Sequence, residues 1–107
     1  MPFLDTNTLP QDERRPGWLG RYFHSPTLTF AHWDFKAGAD IHAHSHEQEE
    51  VWQVIEGELE VTIGGETRVA GPGMVAVVPP HTGHSVVALT DGKAIVIDYP
   101  LRSGLAD

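Results

Sequence analysis

The 107-residue chain contains no cysteine, which excludes disulfides, zinc ribbons, iron–sulfur clusters and thiol nucleophiles. It also lacks a basic excess, because 7 Lys and Arg stand against 15 Asp and Glu and the formal charge is −8. That balance argues against a nucleic-acid partner. No run approaches the roughly 20 apolar residues of a membrane span, and no N-terminal apolar segment is typical of a signal peptide. We therefore expect a cytoplasmic protein with neither nucleic acid nor membrane among its partners.

The chain length and the Gly and Pro residues between apolar runs predict a single all-β domain. The chain is long enough for one hydrophobic core and too short for two. From residue 27 onward, apolar runs of five to eight residues alternate with Gly and Pro, a pattern typical of short strands. We expect residues 1–27 to form an N-terminal arm packed on the body, irregular up to residue 17. Residues 28–100 should form a β-barrel, and residues 101–107 a C-terminal tail.

About eight short strands and no helix are expected, as in a small sandwich or closed barrel. The clearest strand, residues 59–63, alternates apolar and polar side chains, and Gly64-Gly65 after it is a two-residue hairpin signal. Residues 74–78 form a continuous apolar run and should be a strand buried on both faces, with Met74, Ala76 and Val78 in the core.

Five of the seven histidines fall between residues 42 and 84, at His42, His44, His46, His81 and His84. The first three alternate along the chain, so in an extended backbone their imidazoles project together. Glu50 then opens the next apolar strand. Imidazole and carboxylate are a suitable donor mixture for a divalent ion, although such a stretch also occurs as a solvated or fortuitously chelating surface.

The spacing around these residues resembles a known family. Five residues separate Gly38 from His44, one separates His44 from His46, three separate His46 from Glu50, and six separate Glu50 from Gly57. This resembles the first motif of the cupin superfamily with every position filled.

A second segment is similar to the second cupin motif. It runs from Gly73 through Pro79 to His84. His81 stands at the usual glycine position and Ala88 at the usual asparagine position, so the local turn and its packing depart from the family pattern.

The resemblance to small single-domain cupins implies a jelly-roll (double-stranded β-helix) barrel with a metal ion inside its mouth. The implied ligands are His44, His46, Glu50 and His84. One divalent transition metal is expected, and Fe, Mn, Ni and Zn all suit nitrogen and oxygen ligands. The implied function is a metal-dependent enzyme acting on a small, oxygen-rich substrate, as a dioxygenase, an isomerase or a sugar-acid-processing enzyme. The alternative is a non-catalytic module that binds a metal or small ligand.

Some side chains have more than one interpretation. His42 is an acid/base group in the pocket, an alternative metal ligand paired with His44, or an exposed residue at a strand start. His81 is expected in a surface turn, with the barrel mouth as the alternative. His32 is expected on the outward side of its strand, with a place in the pocket wall as the alternative. Asp98 and Tyr99 are adjacent on the last strand, so only one of them faces inward.

Two further expectations concern the substrate and the assembly. Residues 96–102 resemble the end of small cupins that act on unsaturated uronates, which keeps sugar acids among the candidate substrates. The strand at residues 28–35 has large apolar residues on both sides. Either Trp33 and Phe35 or Leu28 and Phe30 could be covered by a second subunit or by the N-terminal arm. A homodimer is therefore expected.

Overall fold

The computed structural model describes residues 2–103, and most of them lie in β-strands. A short 3-10 turn, Thr6–Thr8, comes first. The strands that follow are β1 (Asp12–Arg15), β2 (Trp18–His24), β3 (Thr29–Phe35), β4 (Asp40–His44), β5 (Glu49–Glu56), β6 (Leu59–Ile63), β7 (Glu66–Ala70), β8 (Val75–Val78), β9 (His84–Ala88) and β10 (Gly92–Tyr99). Within this part of the chain, no helix has the length and apolar character needed to cross a bilayer.

The strands form two antiparallel sheets that face one another. One sheet has six strands in the order β1-β2-β3-β10-β5-β8, and the other has four in the order β4-β9-β6-β7. Neighbouring strands in a sheet can be distant in the chain: β10, the last strand, lies between β3 and β5. The all-β prediction is confirmed, and so is the hairpin at Gly64 and Gly65, whose φ angles are +56° and +87°.

The core between the sheets is built from aromatic rings on the six-stranded sheet. Trp18 is 1% exposed, and its ring lies 5.7 to 6.3 Å from the rings of Phe35, Trp52 and Trp33. Gly20 makes this arrangement possible, because a Cβ there would lie 2.6 Å from the Trp33 ring. Trp33 and Phe35 are thus core residues. Of the two expected coverings, residues 1–27 provide it through Trp18, and a second subunit does not.

The N-terminal segment is more regular than its sequence indicates. Residues 12–15 and 18–24 add two strands to one edge of the six-stranded sheet, although the Pro, Asp and Thr residues of the first 17 positions favour irregular structure. Pairing with β3 and burial of Trp18 override that local preference. The tail predicted for residues 101–107 lies outside the described residues from 104 onward.

The apolar run before Pro79 is an edge strand, so the prediction of burial on both faces is wrong. Within β8, Val78 is 1% exposed, whereas Val75 and Val77 are 51% and 50% exposed. Met74 is likewise 43% exposed and does not belong to the core. A continuous apolar run is typical of a strand with other elements packed on both faces. Within residues 2–103, no element packs on the outward face of β8.

Candidate metal centre

The histidines of both motifs meet where two strands of the four-stranded sheet end. His44 is the last residue of β4, His84 is the first residue of β9, and the two are paired across the strands. His46 follows β4 in the connection to β5. The ring centroid of His44 lies 4.2 Å from that of His84 and 5.5 Å from that of His46. The ring centroids of His46 and His84 lie 4.9 Å apart.

In each of the three histidine rings, Nδ1 is hydrogen-bonded to a backbone carbonyl oxygen. Nδ1 of His44 lies 2.9 Å from the carbonyl of His42, Nδ1 of His46 lies 3.2 Å from that of Gln48, and Nδ1 of His84 lies 2.9 Å from that of Thr82. A carbonyl only accepts, so each Nδ1 carries the proton and donates it. Each neutral ring then has its lone pair on Nε2, the tautomer that a metal-binding histidine needs.

Glu50 lies beside two of these lone pairs. It is 3% exposed, and its two carboxylate oxygens lie 3.2 Å from Nε2 of His46 and 3.4 Å from Nε2 of His84. Neither Nε2 has a hydrogen-bond partner, although both are buried. Lone pairs facing carboxylate oxygens repel one another unless a cation or a proton lies between them. The donor set therefore fits a divalent metal ion.

The ionisation of Glu50 depends on its contacts. Burial opposes the charged form, but contacts with His46 and His84, followed by those with Asp98 and Trp52, outweigh burial and lower the pKa of Glu50 below its ordinary value. The indole Nε1 of Trp52 donates a hydrogen bond to Glu50. Glu50 is thus held as a carboxylate, the form that binds metal.

Asp98 completes a second group of ligand atoms that the sequence did not reveal. Its Cα is paired with that of Glu50 across β10 and β5, it is 2% exposed, and its Oδ1 has no hydrogen-bond partner. Ligand atoms lie within 4.8 Å of one another in two groups that share His46: His44, His46 and His84, and His46, Glu50 and Asp98. Burial, and then the negative charge of Glu50, raise the pKa of Asp98 to about 8.

Four members of the cluster, His44, His84, Glu50 and Asp98, line a cavity. The same cavity is lined by Trp18, Trp33 and Trp52 and by three arginines, Arg14, Arg15 and Arg102. Nη1 of Arg102 lies 3.5 Å from Oε1 of Glu50. The backbone N–H of Arg102 donates a 2.8 Å hydrogen bond to the hydroxyl of the buried Thr29. This contact ties the end of the chain to the six-stranded sheet and places the guanidinium at the site.

The remaining candidates lie outside both groups of ligand atoms. His42 is exposed because the pairing of β4 with β9 shifts between Ile41 and His44, and its Nδ1 lies 3.1 Å from Nη1 of Arg15. His81 is exposed in the turn before β9, with φ +59°, which is the left-handed conformation that glycine favours. The backbone N–H of His81 donates a 2.7 Å hydrogen bond to the backbone carbonyl of His46.

The two questions of facing are settled by burial. His32 alternates with the buried Ala31 and Trp33 and faces outward, as expected. Asp98 faces inward, and Tyr99 is 56% exposed. The sequence itself indicates only weakly which residue faces inward, because this strand has apolar residues on both of its faces.

Fold and cluster together define a class: a small two-sheet β-barrel that holds three imidazoles and two carboxyls at one end of its interior. The family model named Cupin domain matches residues 31–100, and the chain belongs to the cupin family. The predicted jelly-roll fold and the cupin resemblance are thereby confirmed.

Solved structures agree with this assignment. KdgF from Halomonas sp. is 31% identical over 96% of both chains, with a TM-score of 0.89. An RmlC-like cupin from Shewanella frigidimarina is 27% identical over 96% of this chain and 94% of that chain, with a TM-score of 0.90. Salicylate 1,2-dioxygenase from Pseudoaminobacter salicylatoxidans, in adducts with gentisate, is 25% identical over 79% of this chain and 25% of its own, with a TM-score of 0.74. No curated protein matches the chain.

Proposed function

We propose that this cupin is a metal-dependent enzyme that acts on a small, oxygen-rich anion, with sugar acids as the favoured class. The observation that carries the proposal is the juxtaposition in one cavity of two histidines of the cluster, His44 and His84, with the buried carboxyl of Asp98 and three arginines. The ion would be held by His44, His46, Glu50 and His84, and it is one of Fe, Mn, Ni or Zn. When bound, it would act as a Lewis acid toward substrate oxygens.

The arginines favour an anionic substrate. The chain has only seven basic residues and a net charge of −8, yet Arg14, Arg15 and Arg102 all line this cavity. A guanidinium binds a carboxylate through two parallel hydrogen bonds, which gives both affinity and orientation. Concentrating scarce positive charge at one cavity would offset the repulsion that the acidic chain exerts on an anion.

Asp98 is suited to carry a proton. In the metal-free protein its pKa is raised to about 8, so the carboxyl holds its proton near neutral pH, which suits a general acid or base. Glu50, its neighbour, stays ionised and would bind the metal, so Asp98 is the carboxyl of the pair that is left to transfer a proton. Proton transfer during an isomerisation of a sugar acid uses this carboxyl directly. The similarity of residues 96–102 to small cupins acting on unsaturated uronates supports the same class.

Turnover assays on the metal-loaded protein test the proposal. We expect consumption of unsaturated uronates without uptake of dioxygen, and a loss of kcat of roughly 100- to 10,000-fold in Asp98→Asn, with metal content unchanged. His32→Ala is the matched control, since His32 faces away from the cavity, and it should keep full activity.

Two results would contradict the proposal. Dioxygen consumption with aromatic diols would point instead to a dioxygenase. Binding of sugar acids without turnover by any metal form would point to the non-catalytic module.

A further inference from the structure

Arg102 forms an ion pair with a carboxylate that is itself a candidate metal ligand. Nη1 of Arg102 lies 3.5 Å from Oε1 of Glu50, and Nε2 of His46 lies 3.2 Å from the same oxygen. A divalent ion held by His46 and Glu50 would therefore be close to the guanidinium, and two cations beside one oxygen repel each other. The guanidinium and the ion thus compete to neutralise one buried negative charge.

The two partners of this ion pair differ in their freedom to move. The side chain of Glu50 is 4% exposed and is held by the indole N–H of Trp52. The side chain of Arg102 is 28% exposed and lines the cavity. The backbone of Arg102 is anchored, because its N–H donates to the hydroxyl of Thr29. A change of partner therefore requires only a rotation of the Arg102 side chain, which has room to turn into the cavity.

Gln48 connects the segment that carries Arg102 to the histidine cluster. Its backbone carbonyl accepts the hydrogen bond from Nδ1 of His46 at 3.2 Å, and its side-chain Nε2 donates to the carbonyl of Leu101 at 3.4 Å. Gln48 is 8% exposed, so both contacts are shielded from water. The backbone of Arg102 is thus held at a defined place beside the ligands, from which its guanidinium reaches either Glu50 or the cavity.

We propose that Arg102 is a counter-ion that changes partner: its guanidinium neutralises Glu50 when no divalent ion is bound, and it pairs with the carboxylate of the substrate when Glu50 binds the ion. The inference rests on the proposed function, which supplies the ion and the anionic substrate. A guanidinium matches a carboxylate through two parallel hydrogen bonds. Ion and substrate should then bind cooperatively, and each should tighten the binding of the other by the same factor.

Calorimetric titration with Zn²⁺ alone measures the competition for Glu50. Arg102→Met should bind Zn²⁺ about 10-fold more tightly than the wild type, because no guanidinium competes with the ion. Arg102→Gln should behave in the same way, and Arg102→Lys, which keeps the charge, should stay within about 3-fold of the wild type. The matched control is Arg68→Met, which removes the same charge from a 73% exposed side chain paired with Glu66 on β7 and should leave Zn²⁺ affinity unchanged. Equal thermal transitions in chelator would show that the variants fold.

The same titration in saturating D-glucuronate measures the coupling, with D-glucose as the neutral analogue. In the wild type, D-glucuronate should tighten Zn²⁺ binding at least ~5-fold, whereas D-glucose should have little effect. In Arg102→Met the effect of D-glucuronate should fall below about 2-fold, since the ion no longer releases a partner for the carboxylate.

Three results would overturn the proposal. Equal or weaker Zn²⁺ binding by Arg102→Met would show that Arg102 supports Glu50 as an outer-shell partner. Equal coupling in the wild type and Arg102→Met would show that the sugar carboxylate binds the ion itself. A wild-type protein that binds no Zn²⁺ would refute the exchange together with the metal centre. Failure of the proposed enzymatic activity is distinguishable, because a protein with the expected affinities that turns over no sugar acid would keep the exchange of partners and lose only the catalytic role.

Discussion

Replacing His46 by alanine is the sharpest test of the metal centre. His46 is the one residue shared by the two groups of ligand atoms, so its loss breaks both arrangements, whichever one holds the ion. Its ring is oriented by the carbonyl of Gln48 and its Nε2 is buried without a partner. Removing even an outer-shell partner of a metal ligand costs about 10- to 100-fold in affinity, so we expect at least ~100-fold from removing the ligand itself.

That loss translates into a measurable change in stability. A metal at 1,000 times its Kd stabilises the folded state by about 4 kcal/mol. For a chain of this size, that raises Tm by roughly 15 to 20 °C above the chelator-treated protein. In His46→Ala the same metal concentration is about 10 times the new Kd, which leaves about 1.4 kcal/mol and a Tm shift of roughly 5 °C.

Differential scanning calorimetry with and without chelator, together with elemental analysis, measures both quantities. We expect about one transition-metal ion per wild-type chain, most of it lost in His46→Ala. His32→Ala removes a half-buried imidazole from the outward face of β3 and should keep both the metal and the Tm shift. If the two variants bound metal equally, or if chelation left the wild-type Tm unchanged, the ligand assignment would be refuted.

Two other predictions concern pH and packing. In the metal-free protein, Asp98 and His84 both have raised pKa values, so their stabilisation is complete below the unfolded pKa and is lost as pH rises. The contribution of Asp98 to the free energy of unfolding should therefore fall between about pH 4 and pH 8, and Asp98→Asn should remove that part of the slope in urea titrations. His44, whose pKa is lowered by burial, contributes in the opposite direction in both proteins. Val86→Ala, at a position 1% exposed, should cost about 2 kcal/mol, whereas Val87→Ala, 38% exposed, should cost less than about 0.5 kcal/mol; equal losses would contradict the assigned facing.

The sequence by itself determined the strands from residue 28 onward and most of the cluster. Alternation in residues 59–63 and the glycine pair after them specify a hairpin through local geometry alone. The spacing of His44, His46 and Glu50 places three side chains within one short stretch, so little of the fold is needed to bring them together. His84 came from the family resemblance, since nothing local links it to residues 40 positions earlier in the chain.

Only the tertiary structure decided which side of the later strands is the interior. In a strand, neighbouring side chains face opposite sides of the sheet. In β10, Ala94 and Val96 lie on one side and Ile95 and Ile97 on the other. Both sides are therefore apolar, and the hydrophobic pattern does not show which one is buried. Pairing with β5 breaks that symmetry and puts Asp98 opposite Glu50. The same pairing exposes an apolar outer face that local sequence cannot distinguish from core, because burial depends on what packs against a strand.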